Sequence, residues 1–508
     1  MRRIALAFGL LLVGASTAHA ANPEGARHAR DADGLFWFVH LSDSHIGASL
    51  IEGPHAKEHL TFALNEAVTV IKPRFVWNTG DLNDGSGKIG VSGTGIPTSG
   101  QSQTQWDWYK EVWQSAGMTK GFYFDLPGNH DVYDDKGATF YLKNSLWGST
   151  MKKTWMDFSV ETKTGDYRFF GLNSTNDYFK PLSNCCPGFL DSQIKELDDF
   201  LAKNTGAKLV FVAAHHALTG NGSQPTANAD KVRALLKVHK AFYLHGDMHQ
   251  YEEYLDSDSI VVNQIASLGK NDLENIGVGV IDHDAFVYRA TDVTKAWPLG
   301  ILTTPPSEML KNSGNNPYAY AVCKDRPDNP FRAVTFSFTP PKKVTLKVGS
   351  LPEVAMKPVR GTFDFAYPVW QAEVDTRSLV AASTNVTLHV EAEGGSNDHS
   401  IVAKFKAGPC EPLPDGEPPD AGTPPGDAGI EADSGVDSGP LADTGAGPAA
   451  DPGEDGSGCG CRTTGAGSSA GAIPALALVA ALALRQSTRR ASSQTMGKSP
   501  GITSTSRT

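Results

Sequence analysis

Short apolar runs that stop at turn residues, separated by amphipathic stretches, recur along the first half of the chain. Phe36-Trp37-Phe38-Val39-His40-Leu41, Phe75-Val76-Trp77-Asn78, Phe122-Tyr123-Phe124, Leu209-Val210-Phe211-Val212 and Phe242-Tyr243-Leu244 are rich in aromatic and β-branched residues. Each gives way within a few residues to Gly, Asp, Asn or His, as buried strands do. Helical periodicity fills the gaps, over about 59–71, 106–115, 190–203 and 229–240. The alternation predicts an α/β core with functional residues on loops at strand ends. Shorter runs, such as Ile260-Val261-Val262 and Val278-Gly279-Val280-Ile281, read as further edge strands up to about 292. Beyond them, runs at 333–338, 344–348, 370–374 and 386–390 alternate with turn signals. That pattern predicts a small all-β immunoglobulin-like domain over 297–410, a spacer or recognition module.

The two ends change the picture. Arg2 and Arg3, an apolar stretch from Ile4 to Gly14, and Ala18-His19-Ala20 read as a signal peptide over 1–20. A buried first helix or a membrane anchor is the competing reading. Residues 411–457 shift to Pro, Asp, Gly and Ala, with twelve acids and no Lys or Arg between 411 and 456. With so little to bury, this is expected to be a disordered acidic spacer. Its aspartates also suggest a calcium-binding repeat, but their spacing is irregular and matches no EF-hand loop. Over 458–490 come Cys459 and Cys461, an apolar run from Ala470 to Leu484, then Arg485, Arg489 and Arg490. This resembles the C-terminal sorting tails of myxobacterial surface proteins, although such tails normally end at the basic cluster and here a disordered tail over 491–508 follows. The resemblance implies a membrane or cell-surface tether and a sorting protease acting near Cys459 or Cys461. The run from 470 to 484 is shorter than the roughly 20 residues of a permanent span. An exported chain is expected, periplasmic, on the outer cell surface or released.

Charge narrows the function classes. The net charge of the 508 residues is −11, of which the spacer carries −12 and the end of the chain from Ser457 carries +6. Residues 1–410 therefore hold −5, and no nucleic-acid-binding face is expected. No nucleotide-binding Gly-rich loop, Gly-x-Ser-x-Gly elbow or nucleophilic Cys motif is visible.

The chemistry lies in five motifs in fixed order: Asp43-Ser44-His45, Gly80-Asp81, Gly128-Asn129-His130-Asp131, His215-His216 and Gly246-Asp247-Met248-His249. They offer carboxylates, imidazoles and one neutral amide, the ligand types that two divalent cations need to drive an in-line displacement at phosphorus. The order resembles the calcineurin-like metallophosphoesterase family, which reads Asp-x-His, Gly-Asp, Gly-Asn-His-Asp/Glu, His, then Gly-His-x-His. The likeness covers about 35–255. It is closer to the branch typified by transmembrane protein 62, through Gln105-Trp106-Asp107-Trp108-Tyr109, Gly80-Asp81-Leu82-Asn83-Asp84 and the β-rich segment opening at Trp297-Pro298-Leu299-Gly300.

The resemblance implies a four-layer α/β/β/α sandwich with two β-sheets over 35–296. It also implies two divalent ions (manganese, iron, zinc or magnesium) and a phosphate-ester substrate attacked by a metal-bridging hydroxide. Carried over by position, Asp43, His45 and His249 would hold the first metal and Asp81 would bridge. Asn129 and His215 would hold the second, with His216 the competing histidine. His130 would serve the leaving oxygen, and Asp131 would orient its imidazole. Asp84 is expected in an outer layer or solvated, and Trp106, Trp108 and Tyr109 as one wall of the site.

One residue departs from the pattern. Asp247 stands where the family has a histidine; it can still bind through oxygen, which favours manganese or magnesium over zinc. His245 next to it is expected to point away by strand alternation. The expected function is an exported, surface-tethered dinuclear phosphoesterase. The alternative is a surface binding or adhesion protein whose phosphoesterase domain is impaired. Export also predicts a disulfide between Cys323 and Cys410, which bracket the β-rich segment; the adjacent Cys185 and Cys186 are too close for an unstrained bond.

Overall fold

Alternation along Leu35–Leu41 sets the layering, because this strand is buried on both faces. Phe36 and Phe38 point into an aromatic layer, while Leu35, Trp37, Val39 and Leu41 point the other way. In this computed structural model, which describes residues 32–413 apart from 33, 50–52, 86–87, 90–96, 99, 177–186, 220–224, 271–273, 296, 313, 360–368 and 412, two sheets share that layer. The first runs Ala285–Asp292, Asn275–Asp282, Leu35–Leu41, Val76–Asn78, Tyr123–Asp125. Leu35–Leu41 is antiparallel to Asn275–Asp282 and parallel to Val76–Asn78. The second runs Glu252–Leu255, Val261–Gln264, Phe242–His245, Leu209–Ala213, Gly165–Gly171, Met156–Thr162, with a parallel centre.

Aromatic rings join the sheets. Phe38 stacks on Phe75 at 4.9 Å, Phe169 on Phe211 at 5.0 Å, and Phe75 meets Phe169 edge-on at 4.8 Å. Each such buried ring contributes about 1.5–3 kcal/mol over leaving it in water. The outer face of the first sheet is covered by Gln103–Ser115 and by a helical stretch that is α over Ala56–Phe62 and Val68–Ile71 and π over Ala63–Ala67. Asp191–Lys203 and Ala229–His239 cover the second. These helices begin and end within three residues of their sequence-based positions. One expectation fails here: Trp106 and Tyr109 are fully buried in the layer beneath their helix, and of the three supposed wall residues only Trp108 is exposed, at 43%. The indole of Trp106 donates to Gln101 and the Tyr109 hydroxyl to Asp125, so both side chains belong to the core.

The β-rich segment forms two more sheets. One runs Leu299–Thr304, Asn329–Phe336, Val369–Val374, Lys357–Pro358; the other runs Val322–Cys323, Gly395–Lys406, Ser383–Ala392, Lys343–Val348, Val354–Ala355. Phe331, Ala333, Leu346, Val348, Leu388 and Phe405 fill the space between them. The segment was expected as a separate unit, yet every residue of Asn329–Phe336 is buried. Val334 and Phe336 face the α/β part, and the Phe336 ring lies 5.5 Å from Trp37.

A buried ion pair fixes that junction. Arg332 Nε lies 2.9 Å from Asp282 Oδ2 and its Nη2 3.1 Å from Oδ1, while Thr303 and Thr304 donate their hydroxyls to the same carboxylate. Burial would push the Asp282 carboxyl up, but Arg332 and His283 outweigh it and hold it well below the usual range. Cys323 and Cys410 are disulfide-bonded across 87 residues, tying the start of the five-stranded sheet to the segment after its last strand. The segments read above as signal peptide, anchor and tail, nearly all of the expected spacer, and Cys185 and Cys186 lie outside the described residues. Among the described residues no helix is long and apolar enough to cross a membrane.

Arg332→Met should destabilise the protein by about 3–5 kcal/mol in urea denaturation, because it strands the Asp282 charge. The variant carrying both Arg332→Met and Asp282→Asn should recover part of that loss. Since the folded pKa is depressed, the stability from this pair is fully present above the unfolded carboxyl's value of about 3.9 and is lost as pH falls below it. A single variant as stable as the parent would show that the pair does not hold the junction.

Candidate metal centre

All five motifs sit where strands end. Leu35–Leu41 leads into Asp43 and His45, Val76–Asn78 into Asp81, Tyr123–Asp125 into Asn129 and His130, Leu209–Ala213 into His215, and Phe242–His245 into Asp247 and His249. Asp43, His45, Asp81, Asp247 and His249 all have left-handed backbones, with φ between 44° and 64°. Non-glycine residues in that region cost roughly 1–3 kcal/mol each, and such strain collects at functional sites. Gly80, at φ 115°, and Gly128 let two loops approach: a Cβ on Gly80 would lie 2.7 Å from the Gly128 nitrogen, and one on Gly128 would collide with Asp81.

The side chains converge in two groups around one carboxylate oxygen. In the first, His45 Nε2 is 3.2 Å from His249 Nε2, and Asp43 Oδ1 is 3.2 Å from His249 Nε2. In the second, His215 Nε2 is 3.1 Å from Asn129 Oδ1 and 3.9 Å from Asp247 Oδ1. Asp81 Oδ2 lies between them, 3.7 Å from His45, 3.3 Å from His215 and 3.7 Å from His130. His215 is fixed by its other ring nitrogen, Nδ1, which lies 3.1 Å from the Thr79 carbonyl. His216 instead meets the Ser174 hydroxyl through Nδ1 at 2.8 Å. His245 Nδ1 lies 2.9 Å from the Gly246 carbonyl.

These residues fit divalent cations. Oδ2 of Asp247 is buried without a hydrogen-bond partner. Two imidazole nitrogens and a carboxylate oxygen crowd one point, and two carboxylates with an imidazole and an amide oxygen crowd the other. The protonation pattern shows the same demand for positive charge. Burial alone would lower His215, yet Asp81 and Asp43 raise it to about 10. Burial alone would raise Asp43, yet His249 and His215 pull it below the ordinary range. Asp247 is pushed by burial up to about 6, against the pull of His215. A proton on His215 supplies the charge that a metal ion would supply. His130 and His249, each 22% exposed in the side chain, and Met248 mark the open side.

One role differs from the sequence-based expectation. Asp131 does not orient His130: its carboxylate accepts from the backbone N–H of Gly128, Leu82 and Asn83 and from the Asn83 amide, at 2.8–3.1 Å. Burial and the Asp81 charge push the Asp131 carboxyl up, but four donors and no acceptor suit the carboxylate form. His130 is set by Asp84 instead, its Nδ1 lying 2.6 Å from that residue's carbonyl. Asp84 takes the outer-layer one of its two expected places: it is buried, and its carboxylate is ion-paired with Lys270 and sits 3.7 Å from His45 Nδ1. Sequence reasoning missed Lys270, and missed Tyr133, whose hydroxyl accepts from Asn129 Nδ2 at 2.8 Å. For Tyr133 the signal was its place four residues after Asn129; for Lys270 there was none.

Residues 36–251 match the family model described as calcineurin-like phosphoesterase. The mouse protein named transmembrane protein 62 is 25% identical over 333 residues, covering 63% of this chain and 48% of that protein. A protein of Arabidopsis thaliana, named provisionally as a metallophosphoesterase, is 28% identical over 262 residues, covering 47% of this chain and 33% of its own. The chain thus spans about half or less of these relatives' lengths. Among solved structures, a dimetal phosphatase from Danio rerio aligns at TM-score 0.41 and 13% identity over 51% of this chain and 97% of that one. A 5'-nucleotidase from Candida albicans aligns at 0.33 and 13% over 53% and 52%. Over residues 36–251 the chain carries a calcineurin-like metallophosphoesterase domain.

Proposed function

We propose that the protein is a metal-dependent phosphoesterase in which Asp43, His45 and His249 hold one divalent ion, Asn129, His215 and Asp247 hold another, and Asp81 spans both. The observation that carries this reading is the position of Asp81 Oδ2, within 3.7 Å of an imidazole from each group. Two bound cations would clamp the attacking and leaving oxygens of an in-line displacement and lower the pKa of a bound water. His130 does the remaining proton work. With Nδ1 committed to the Asp84 carbonyl, its Nε2 faces the centre from the exposed rim, placed to give a proton to the leaving oxygen.

The alternative, a binding or adhesion protein with an impaired site, rested on Asp247. Its backbone N–H donates to Asp43 Oδ2 at 3.0 Å, and its carboxylate turns toward His215. That geometry supports a ligand rather than a gap. The oxygen-rich set favours manganese or magnesium. The proposal extends to an exported chain tethered to the cell surface through its C-terminal tail and trimmed by a sorting protease, with the β-rich segment as an immunoglobulin-like module. The Cys323–Cys410 bond supports export, since disulfides persist in oxidising compartments.

Two substitutions should separate holding metal from using it. Asp81→Asn should lower the bound metal measured by plasma emission and remove most hydrolysis of an activated phosphate ester. His130→Asn should keep both metals while turnover falls about 10²–10⁴-fold, most with poor leaving groups. Near-normal turnover in the first variant, or metal loss in the second, would reverse these roles.

Asp247→His should move the second position toward zinc in competition assays against manganese. An unchanged preference would mean that Asp247 does not coordinate.

A further inference from the structure

Asn129 is the amide in the proposed ligand set, and that amide has two unlike ends. Only the oxygen can bind a cation; the NH2 then needs an acceptor of its own, because an unsatisfied buried donor costs stability in the bound state. Asn129 is only 8% exposed, with Oδ1 toward His215 and Nδ2 donating to the Tyr133 hydroxyl at 2.8 Å. Without that acceptor, the donors of Nδ2 would find Asp81 and Asp247 more attractive, and turning toward them would carry the oxygen away from the second group.

We infer that Tyr133 is a positioning residue for the second metal: its hydroxyl takes up the Asn129 NH2 so that Oδ1 serves as the ligand. Its ring adds a second constraint, packing 4.5 Å from the His130 ring at a 42° tilt. The backbone carbonyl of Tyr133 and that of His130 both accept from Gln101 Nε2, which anchors this turn to the segment before Gln103–Ser115. Tyr133 therefore links the ligand amide and the proton-donating imidazole through one side chain. This assignment rests on the metal-centre reading above.

The test uses purified full-length protein and Mn2+ followed by titration calorimetry. Tyr133→Phe keeps the ring against His130 and removes only the acceptor. The second equivalent should bind about 10–100-fold more weakly, the range for loss of a partner that orients a ligand, with the first within about twofold of the parent. In an Asn129→Ala background, where there is no amide to position, adding Tyr133→Phe should leave the remaining second-site affinity within about twofold. Parental affinity in Tyr133→Phe, or an equal loss in both backgrounds, would overturn the assignment; the latter would reveal a general packing defect. A parent chain that takes up no Mn2+ would instead overturn the metal-centre reading, and the Tyr133 role with it.

Discussion

The Asp131 carboxylate holds the candidate centre together. It collects four N–H donors from two loops that arrive from different strands, Leu82 and Asn83 on one side and Gly128 on the other. Charge-assisted bonds of this kind are about twice as strong as neutral ones, and buried donors cannot be left unmade without cost. That clamp brings Gly80 and Gly128 into contact, which in turn sets Asp81 beside Asn129 and lets the His130 N–H donate to Asp81 Oδ1 at 2.8 Å. Asp81, Asn129 and His130, the proposed spanning carboxylate, amide ligand and proton donor, are thus placed by a residue that need not touch substrate.

The centre is held against both backbone strain and electrostatic repulsion. Five left-handed residues bend these side chains off their strand ends, and the sheets beneath, joined by edge-on contacts such as Phe75 against Phe169, are stiff enough to keep them there. Asp43, Asp81, Asp84 and Asp247 add carboxylates in one buried region, answered within the chain by Lys270 on Asp84 and by protonated imidazole at His215. A protein that stores such repulsion in a rigid frame has a site shaped for cations before any cation binds.

Much of this was legible in the sequence, and the misses have a common cause. Strand ends, helices and the ligand ladder are local patterns, and the residues at 43, 45, 81, 129, 215, 247 and 249 converge as their order implied. Asp131 was misread because adjacency to His130 suggested contact, whereas neighbouring side chains on a tight turn point apart; the partner of His130 is a backbone carbonyl that no side-chain pattern reveals. Trp106 and Tyr109 were misplaced because an aromatic cluster before the Gly-Asn-His-Asp motif looked like a binding wall, while helical spacing puts both on the buried face. The docking of the β-rich segment depends on Arg332 meeting Asp282, fifty residues earlier, a pairing that appears only once both strands are placed.

The aspartate at 247 follows from the same logic of placement and charge. At φ 64° its backbone is one that Asp adopts more readily than most residues, and its N–H is committed to Asp43 Oδ2. A carboxylate there gives the second position three oxygen-bearing residues, Asp81, Asn129 and Asp247, with His215 the one imidazole of the set. Such a shell holds a hard cation well and offers zinc less than two imidazoles would. It would also place one more negative charge where the proposed anionic ester would approach. Lys270, neutralising Asp84 at the edge of the cluster, lessens that charge without occupying a ligand position. On the proposed reading the aspartate would therefore shift which metal the site holds and how strongly it would draw substrate, while the framework of turns and clamps around it stays intact.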